Sequence, residues 1–362
     1  TLGAVSSFFP YSADNNFAPG AFPLSPGNAV PPVLTTNLPV SSIQVADPHL
    51  KLPRSYQWNA ALEQSIGSNQ SLSATYVAAI GRDLLRITNI VNPNPNFAFL
   101  ALTDNSATSD YHALQLKFQR RLSRGLQALA SYSWAHSIDI ISTDSNTNAN
   151  TPGQIASASV DRGNSDFDIR HSFSGGITYD LPSPGSQKLV KAILEHWSLD
   201  GFVFAGSAPP VNIIGPSFFA AGTQITPRPN VNAGVPLEIF DSQFPGGKIF
   251  NRAAFTAPPA GQQGSLGRNV LRGFGGSQMD LGLQRQFALT EKFELHFRAE
   301  FFNIFNHPNF GNPVNTLNSP LFGRSTQTLA NSLGSGGATG GFNPLYQVGG
   351  PRSIQFALKL QF

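Results

Sequence analysis

Apolar and polar positions alternate strictly along residues 353–362. Ile354, Phe356, Leu358, Leu360 and Phe362 share one parity, and Gln355, Ala357, Lys359 and Gln361 share the other. Period two is the mark of a strand with one apolar and one polar face. The pattern recurs upstream. Tyr56, Trp58, Ala60 and Leu62 alternate with Ser55, Gln57, Asn59 and Ala61. After the turn composition Gly67-Ser68-Asn69-Gln70, Leu72, Ala74, Tyr76 and Ala78 alternate again. Leu114, Leu116 and Phe118 oppose Gln115, Lys117 and Gln119; a turn at Leu122-Ser123-Arg124-Gly125 leads to Leu126, Ala128, Ala130, Tyr132 and Trp134. A third hairpin is predicted from Phe167, with Ile169, Phe173, Ile177 and Tyr179 on one side, returning from His196. A fourth pairs Met279, Leu281, Leu283, Phe287 and Leu289 with Phe293, Leu295, Phe297, Ala299 and Phe301 across a turn at Thr290-Glu291.

Between these runs, short turns and long loops take turns. Residues 92–109, 139–166, 209–277 and 307–351 read as long loops rich in Gly, Pro, Asn and Ser. All short turns then fall at one end of a sheet and all long loops at the other. The reading is all-β: an antiparallel transmembrane β-barrel segment of about nine strands, with short periplasmic turns and long extracellular loops. A soluble Greek-key sandwich has no reason for this asymmetry. Residues 1–52, without a sustained period, form a loop-rich N-terminal segment, expected to be an extracellular loop; residues 53–362 form the barrel portion.

Composition agrees. Charged residues are 12%, aromatics 11%, and Phe alone counts 29. No apolar run approaches the roughly 18–20 residues of a helical span. Cysteine is absent, which removes disulfides and thiolate chemistry. A net charge of +3 gives no reason to expect a nucleic-acid partner. The chain opens at Thr1 without a basic segment and apolar core, so the expectation is that the natural protein starts further upstream.

Four stretches carry a family resemblance. They are Ser109-Asp110-Tyr111-His112-Ala113-Leu114-Gln115-Leu116, the run Asp161-Arg162-Gly163-Asn164-Ser165-Asp166-Phe167-Asp168-Ile169-Arg170-His171, the run Gly264-Ser265-Leu266-Gly267-Arg268-Asn269-Val270-Leu271-Arg272-Gly273, and Phe301-Phe302-Asn303-Ile304-Phe305-Asn306-His307-Pro308-Asn309-Phe310-Gly311. With the terminal aromatic, they resemble the C-terminal barrel portion of TonB-dependent outer-membrane receptors of the Oar-like, acidobacterial type. The resemblance covers residues 54–362. It implies a barrel of about 22 strands with a plugged lumen, importing a bulky ligand with energy passed through TonB. The chain would then be about two-fifths of the wall. Its implied partners are outer-membrane lipid, the missing N-terminal strands and plug, TonB through that plug, the barrel assembly machinery, and an extracellular ligand that the sequence does not identify.

Three residue sets are candidates for function. The closing strand, with Ile354, Phe356, Leu358, Leu360 and Phe362, resembles an assembly signal. Glu294, His296, Arg298 and Glu300 are expected to face the lumen. Tyr56, Trp58, Tyr132, Trp134 and Tyr179, together with Tyr76 and Trp197, suit an aromatic girdle at the lipid interface. Asp139, Asp144, Asp161, Asp166 and Asp168 raise a Ca²⁺ site, but their spacing fits no loop motif, and pairing with Arg162, Arg170 or a neighbouring strand is the simpler reading. The seven His residues show no metal-ligand spacing and read as polar rim or lumen groups. Glu294 and Glu300 lie about 20 Å apart along a strand, too far for a glycosidase pair. The Gly-rich run 334–341 lacks a phosphate-loop Lys. No catalytic residue, cofactor or metal ligand is assigned, and the chain is not read as an enzyme. The other readings are a secreted or surface β-protein that binds glycan or mediates adhesion, and a small complete porin.

Overall fold

The computed structural model describes residues 38–142, 158–182, 195–220, 223–259, 262–290, 292–332 and 349–362. Most of the predicted N-terminal loop, Asp144, Glu291, the Gly-rich run 334–341, and Leu189, Val190, Ile193 and Leu194 (read from sequence as a possible helical turn) lie outside the described residues.

The first strands are β1 (Val40–Ala46), β2 (Arg54–Ile66), β3 (Gln70–Asn94), β4 (Phe97–Ser123), β5 (Leu126–Asp139), β6 (Gly163–Asn164), β7 (His171–Asp180) and β8 (Trp197–Gly206). Eight strands of two or three residues follow: β9 (Pro210–Val211), β10 (Phe218–Ala220), β11 (Thr223–Ile225), β12 (Asn230–Val231), β13 (Glu238–Phe240), β14 (Lys248–Phe250), β15 (Phe255–Thr256) and β16 (Leu271–Arg272). The last are β17 (Gly276–Ala288), β18 (Glu294–Phe302) and β19 (Ser353–Gln361). The main sheet runs β19-β18-β17-β8-β7-β5-β4-β3-β2, each strand antiparallel to the next. Among the described residues it is open at β2 and β19. No described helix is long and apolar enough to cross a membrane.

Residues paired in register point to the same face of a sheet. Tyr56 pairs with Ile80, Leu114 with Trp134, Tyr132 with Phe173, Ile177 with Gly201, Leu283 with Ala299, and Phe297 with Leu358. One face of the whole sheet is therefore apolar and aromatic. The other carries Glu63 beside Ser73, Lys117 beside Ser131, Thr178 beside Asp200, Gln284 beside Arg298, and Glu300 beside Gln355. The apolar face stays open: Phe356 is 68% exposed and Leu358 is 70% exposed. Such a continuous patch needs an apolar surround.

Three predicted features are corrected. Residues 92–109 are not a loop. The tight turn is only Pro95-Asn96, and β3 and β4 continue on either side of it to 25 and 27 residues. Phe97, Phe99 and Leu100 pair with β3 on one side and with the parallel β1 on the other. Residues 97–102 are a continuous apolar run, with Phe99 and Ala101 buried beside Ile87, Val91 and Phe218, so no alternation marks this part of the strand. The third hairpin starts at His171, not Phe167, because Asp168 turns in to accept the Ser137 N–H. The described parts of 209–277 and 307–332 are packed rather than loose. Val211, Ile213, Phe250, Ala254, Phe255, Leu266, Leu271, Leu317 and Phe322 form one buried cluster. Among the described residues this cap adds four two-stranded ladders and two isolated bridges to the apolar contact.

Candidate functional site

The cap is joined to the wall by buried ion pairs. Asp161, 1% exposed, is gripped by Arg86 of β3 and by Arg228 of the cap, each 2% exposed. Arg228 places Nη1 2.9 Å from Asp161 Oδ1, while its Nε donates to the Leu266 carbonyl at 2.9 Å and its Nη2 to that of Val160 at 3.0 Å. Arg268 pairs with Asp139 and donates to Ser142 Oγ at 2.8 Å. Asn269 Nδ2 donates to Asp166 Oδ1 at 2.6 Å and to the Asn164 carbonyl at 2.7 Å. Asn164 Nδ2 returns a bond to the Asn269 carbonyl at 2.9 Å. Arg272 and Arg170 share Asp168. The runs 161–171 and 264–273 are thus the two halves of one lock. The close approach requires glycine at two places: a Cβ on Gly163 would meet the Arg268 backbone, and one on Gly264 would overlap the Pro229 carbonyl.

The run 301–311 builds a corner. The Asn303 N–H donates to Asp280 Oδ1 at 2.8 Å, and Asn303 Nδ2 donates to the His307 and Gly350 carbonyls at 2.9 and 2.8 Å. Asn309 bonds both backbone groups of Ser277, accepting at 2.8 Å and donating at 3.0 Å. Asn303 and Asn306 adopt positive φ, a conformation that asparagine tolerates.

Burial depresses the Arg228 guanidinium below its ordinary value, although Asp161 opposes this. Guanidinium remains charged at physiological pH all the same. Burial raises the Asp168 carboxyl most, but the Ser137 N–H together with Arg272 and Arg170 outweighs it and holds the group below the usual range. A depressed carboxylate stabilises the fold fully above the unfolded value of about pH 4, and that stability is lost as pH falls through the folded value. Amide exchange across residues 264–273, corrected for intrinsic rates, is expected to quicken between about pH 5 and pH 3. Unchanged protection would refute the assignment.

On the polar face, Gln127, Thr178, Asp200, Gly282 and Glu300 stand side by side in register. Thr178 Oγ1 and Gln284 Nε2 donate to Asp200 at 2.8 and 3.0 Å, and Arg298 Nη2 lies 2.9 Å from Glu300 Oε1. A recess of about 370 Å³ opens there, with Leu129, Phe202 and Phe302 at its margins. The four expected lumen residues share this face. His296 Nε2 lies 3.4 Å from Glu294, and Gln284, Gln286 and Lys359 are the cross-strand neighbours.

Tyr56, Trp58, Tyr132 and Trp134 lie on the apolar face towards the long-loop end, and Tyr179 towards the short-turn end. From Trp134 to Leu126, which pairs with Tyr179, is about 26 Å along the strand, close to the height of a barrel's apolar band. Arg285 sits at the lower level, its guanidinium 5.3 Å from the Trp197 ring and 4.2 Å from that of Phe287. The closing-strand set lies on the apolar face of the edge strand β19, and Phe362, 92% exposed, rests against Phe293 at 6.3 Å between ring centroids. His112, His136 and His171 share the apolar face, not the polar one. Sequence reasoning missed Arg86 and Arg228, whose buried partner Asp161 lies far along the chain, and the buried Asn89.

Among the described residues no group of three or more His, Cys, Asp or Glu could hold a metal ion. The family profile described as outer membrane beta barrel domain matches residues 3–355. The chain belongs to that family. This outer membrane beta barrel domain therefore resides in the outer membrane. No curated protein matches it. Among solved structures, it is similar to the outer membrane transporter YddB from Escherichia coli, with 12% identity, a TM-score of 0.48, and coverage of 89% of this chain and 34% of that one. BauA, the ferric preacinetobactin receptor from Acinetobacter baumannii, aligns at 10% identity and TM-score 0.43, over 85% of this chain and 29% of its own. The FrpB iron transporter from Neisseria meningitidis aligns at 12% identity and TM-score 0.42, over 88% and 33%. The barrel domain spans about a third of the length of these proteins.

Proposed function

We propose that this barrel domain is the C-terminal wall of a TonB-dependent receptor of the Oar-like type, in which about 22 strands close around a plug and a bulky ligand is imported. The observation that carries the reading is the two-faced sheet whose three longest connections, β5 to β7, β8 to β17 and β18 to β19, lie at one end, where buried arginine pairs hold an ordered cap. A rigid cap beside a polar wall suits selective capture, whereas an open pore needs neither. The short turns are then periplasmic and the cap extracellular. Glu294, His296, Arg298 and Glu300 face the lumen, and Tyr56, Trp58, Tyr132, Trp134 and Tyr179 contribute to the girdle. Missing strands would pair with β2 and β19, whose edges are otherwise unprotected. The full-length product should fractionate with the outer membrane, show heat-modifiable mobility and conduct no steady current in a planar bilayer. Free solubility would favour the glycan-binding surface protein, and steady conductance the porin.

Phe362 would mark the closing strand for the assembly machinery. Its deletion from the full-length protein is expected to cut the heat-modifiable, membrane-inserted fraction by about tenfold. Unchanged yield and mobility would count against this role.

A further inference from the structure

Above the aromatic residues on the outward, lipid-facing side, the chemistry changes in steps. Tyr76, Leu114, Trp134 and His171 stand at one level. One step towards the cap, Ala78, His112 and His136 stand side by side. The next step holds Ile80, Asp110 and Ile138. Asp110 is clasped there by two guanidinium groups, with Arg82 Nη2 and Arg162 Nη2 each at 2.6 Å. Arg54 lies directly opposite Arg82 in the register and pairs with Asp83. Three guanidinium groups thus share two carboxylates, which leaves a positive charge. Like charges directly opposite one another destabilise a strand pair, and Asp83 and Asp110 offset two of the three. Below, the Tyr76 hydroxyl is 2.7 Å from His112 Nδ1, which leaves Nε2 of that exposed imidazole for a further hydrogen bond.

We propose that this stair is a headgroup site for a phosphate-bearing lipid of the outer membrane. Guanidinium forks match phosphate oxygens in pairs. Cations at the headgroup level attract anionic lipid. The position selects a lipid over a free anion: the charged step is continuous with the aromatic belt, so acyl chains have an apolar surface directly beneath the phosphate. The Arg162 end belongs to the segment that carries the cap lock, so a bound headgroup would also brace the cap. The inference rests on the outer-membrane placement and on the proposed extracellular side of the cap, and does not depend on the import reading.

The test uses the full-length protein in phosphatidylcholine nanodiscs doped with either bisphosphorylated or dephosphorylated lipid A. Lipid retained per protein after exchange is the readout. The wild type should retain the phosphorylated form about tenfold more. Arg82→Gln with Arg162→Gln should abolish that preference while leaving the dephosphorylated form unchanged. If the double variant loses heat-modifiable mobility, Arg54→Gln, whose side chain is 58% exposed, reports instead with about a threefold loss. Equal retention of both lipids by the wild type would overturn the proposal. So would a preference that survives the substitutions. Displacement of the lipid by millimolar inorganic phosphate would assign the site to a small anion and overturn it as well.

Discussion

Asp161→Ala should open the cap while leaving the wall in place. The carboxylate is buried between Arg86 and Arg228, and no water-exposed path relieves either cation. Removing one member of a buried ionic cluster leaves uncompensated charge, at a cost of about 3–5 kcal/mol. The wall strands are held by their own ladders, so the loss should be local. Trypsin should then cut after Arg268 and Arg272, and amide protection across residues 158–170 and 264–273 should collapse together. Heat-modifiable mobility should persist. Replacing Arg228 by Met in the same chain removes one of the stranded charges and should recover part of the protection, as coupled neighbours do. Wild-type protease resistance in Asp161→Ala would mean that the cap is held by the apolar cluster alone.

Gly264→Ala should act on the same lock by a different route. The added Cβ would overlap backbone atoms of Pro229 and Arg228, which cannot swing aside as a flexible side chain can. Segment 262–268 must therefore move away from 227–230. That breaks the bonds from the Gly264 and Leu266 N–H groups to the Arg228 and Pro229 carbonyls, at 3.0 Å each. Overpacking against backbone costs about 2–3 kcal/mol. Gly267→Ala is the comparison in the same loop, since its Cβ would meet only the Val270 side chain. Thermal scans and proteolysis should separate the two variants clearly. Equal behaviour would show that the close approach at Gly264 does not support the lock.

The two variants also bear on what the family motifs are for. The runs 161–171, 264–273 and 301–311 contain the acids, bases and amides that attract attention as ligand-binding chemistry. Most of those side chains are occupied with one another. Asp161, Asp166 and Asp168 meet Arg228, Asn269 and Arg272 from about a hundred residues away or less. A bound Ca²⁺ would have to compete with arginines already in place. Asn303 and Asn309 close a corner between β17, β18 and the start of β19. The recess around Asp200, Arg298 and Glu300 is a polar surface on the wall whose side chains are not part of these motifs.

Alternation alone was enough to identify the wall. Tyr56 and Trp58, Leu114 and Leu116, and Phe356 and Leu358 face the same way because each strand repeats every two residues whatever its partners are. Polar-face residues such as Glu300 and Lys359 follow from the same parity. The tertiary structure alone decided the rest. Phe97 and Phe99 stand in a continuous apolar run at the start of β4, so local period carries no signal there. Val211, Phe250 and Leu317 meet in a cap whose strands are too short to show any period. Arg86 and Arg228 look like surface cations in the sequence and become buried only because Asp161 arrives from a third segment. Periodicity is a local property that a single strand displays. Burial of a charge depends on which distant segments come to surround it, and that is settled only when the chain has folded.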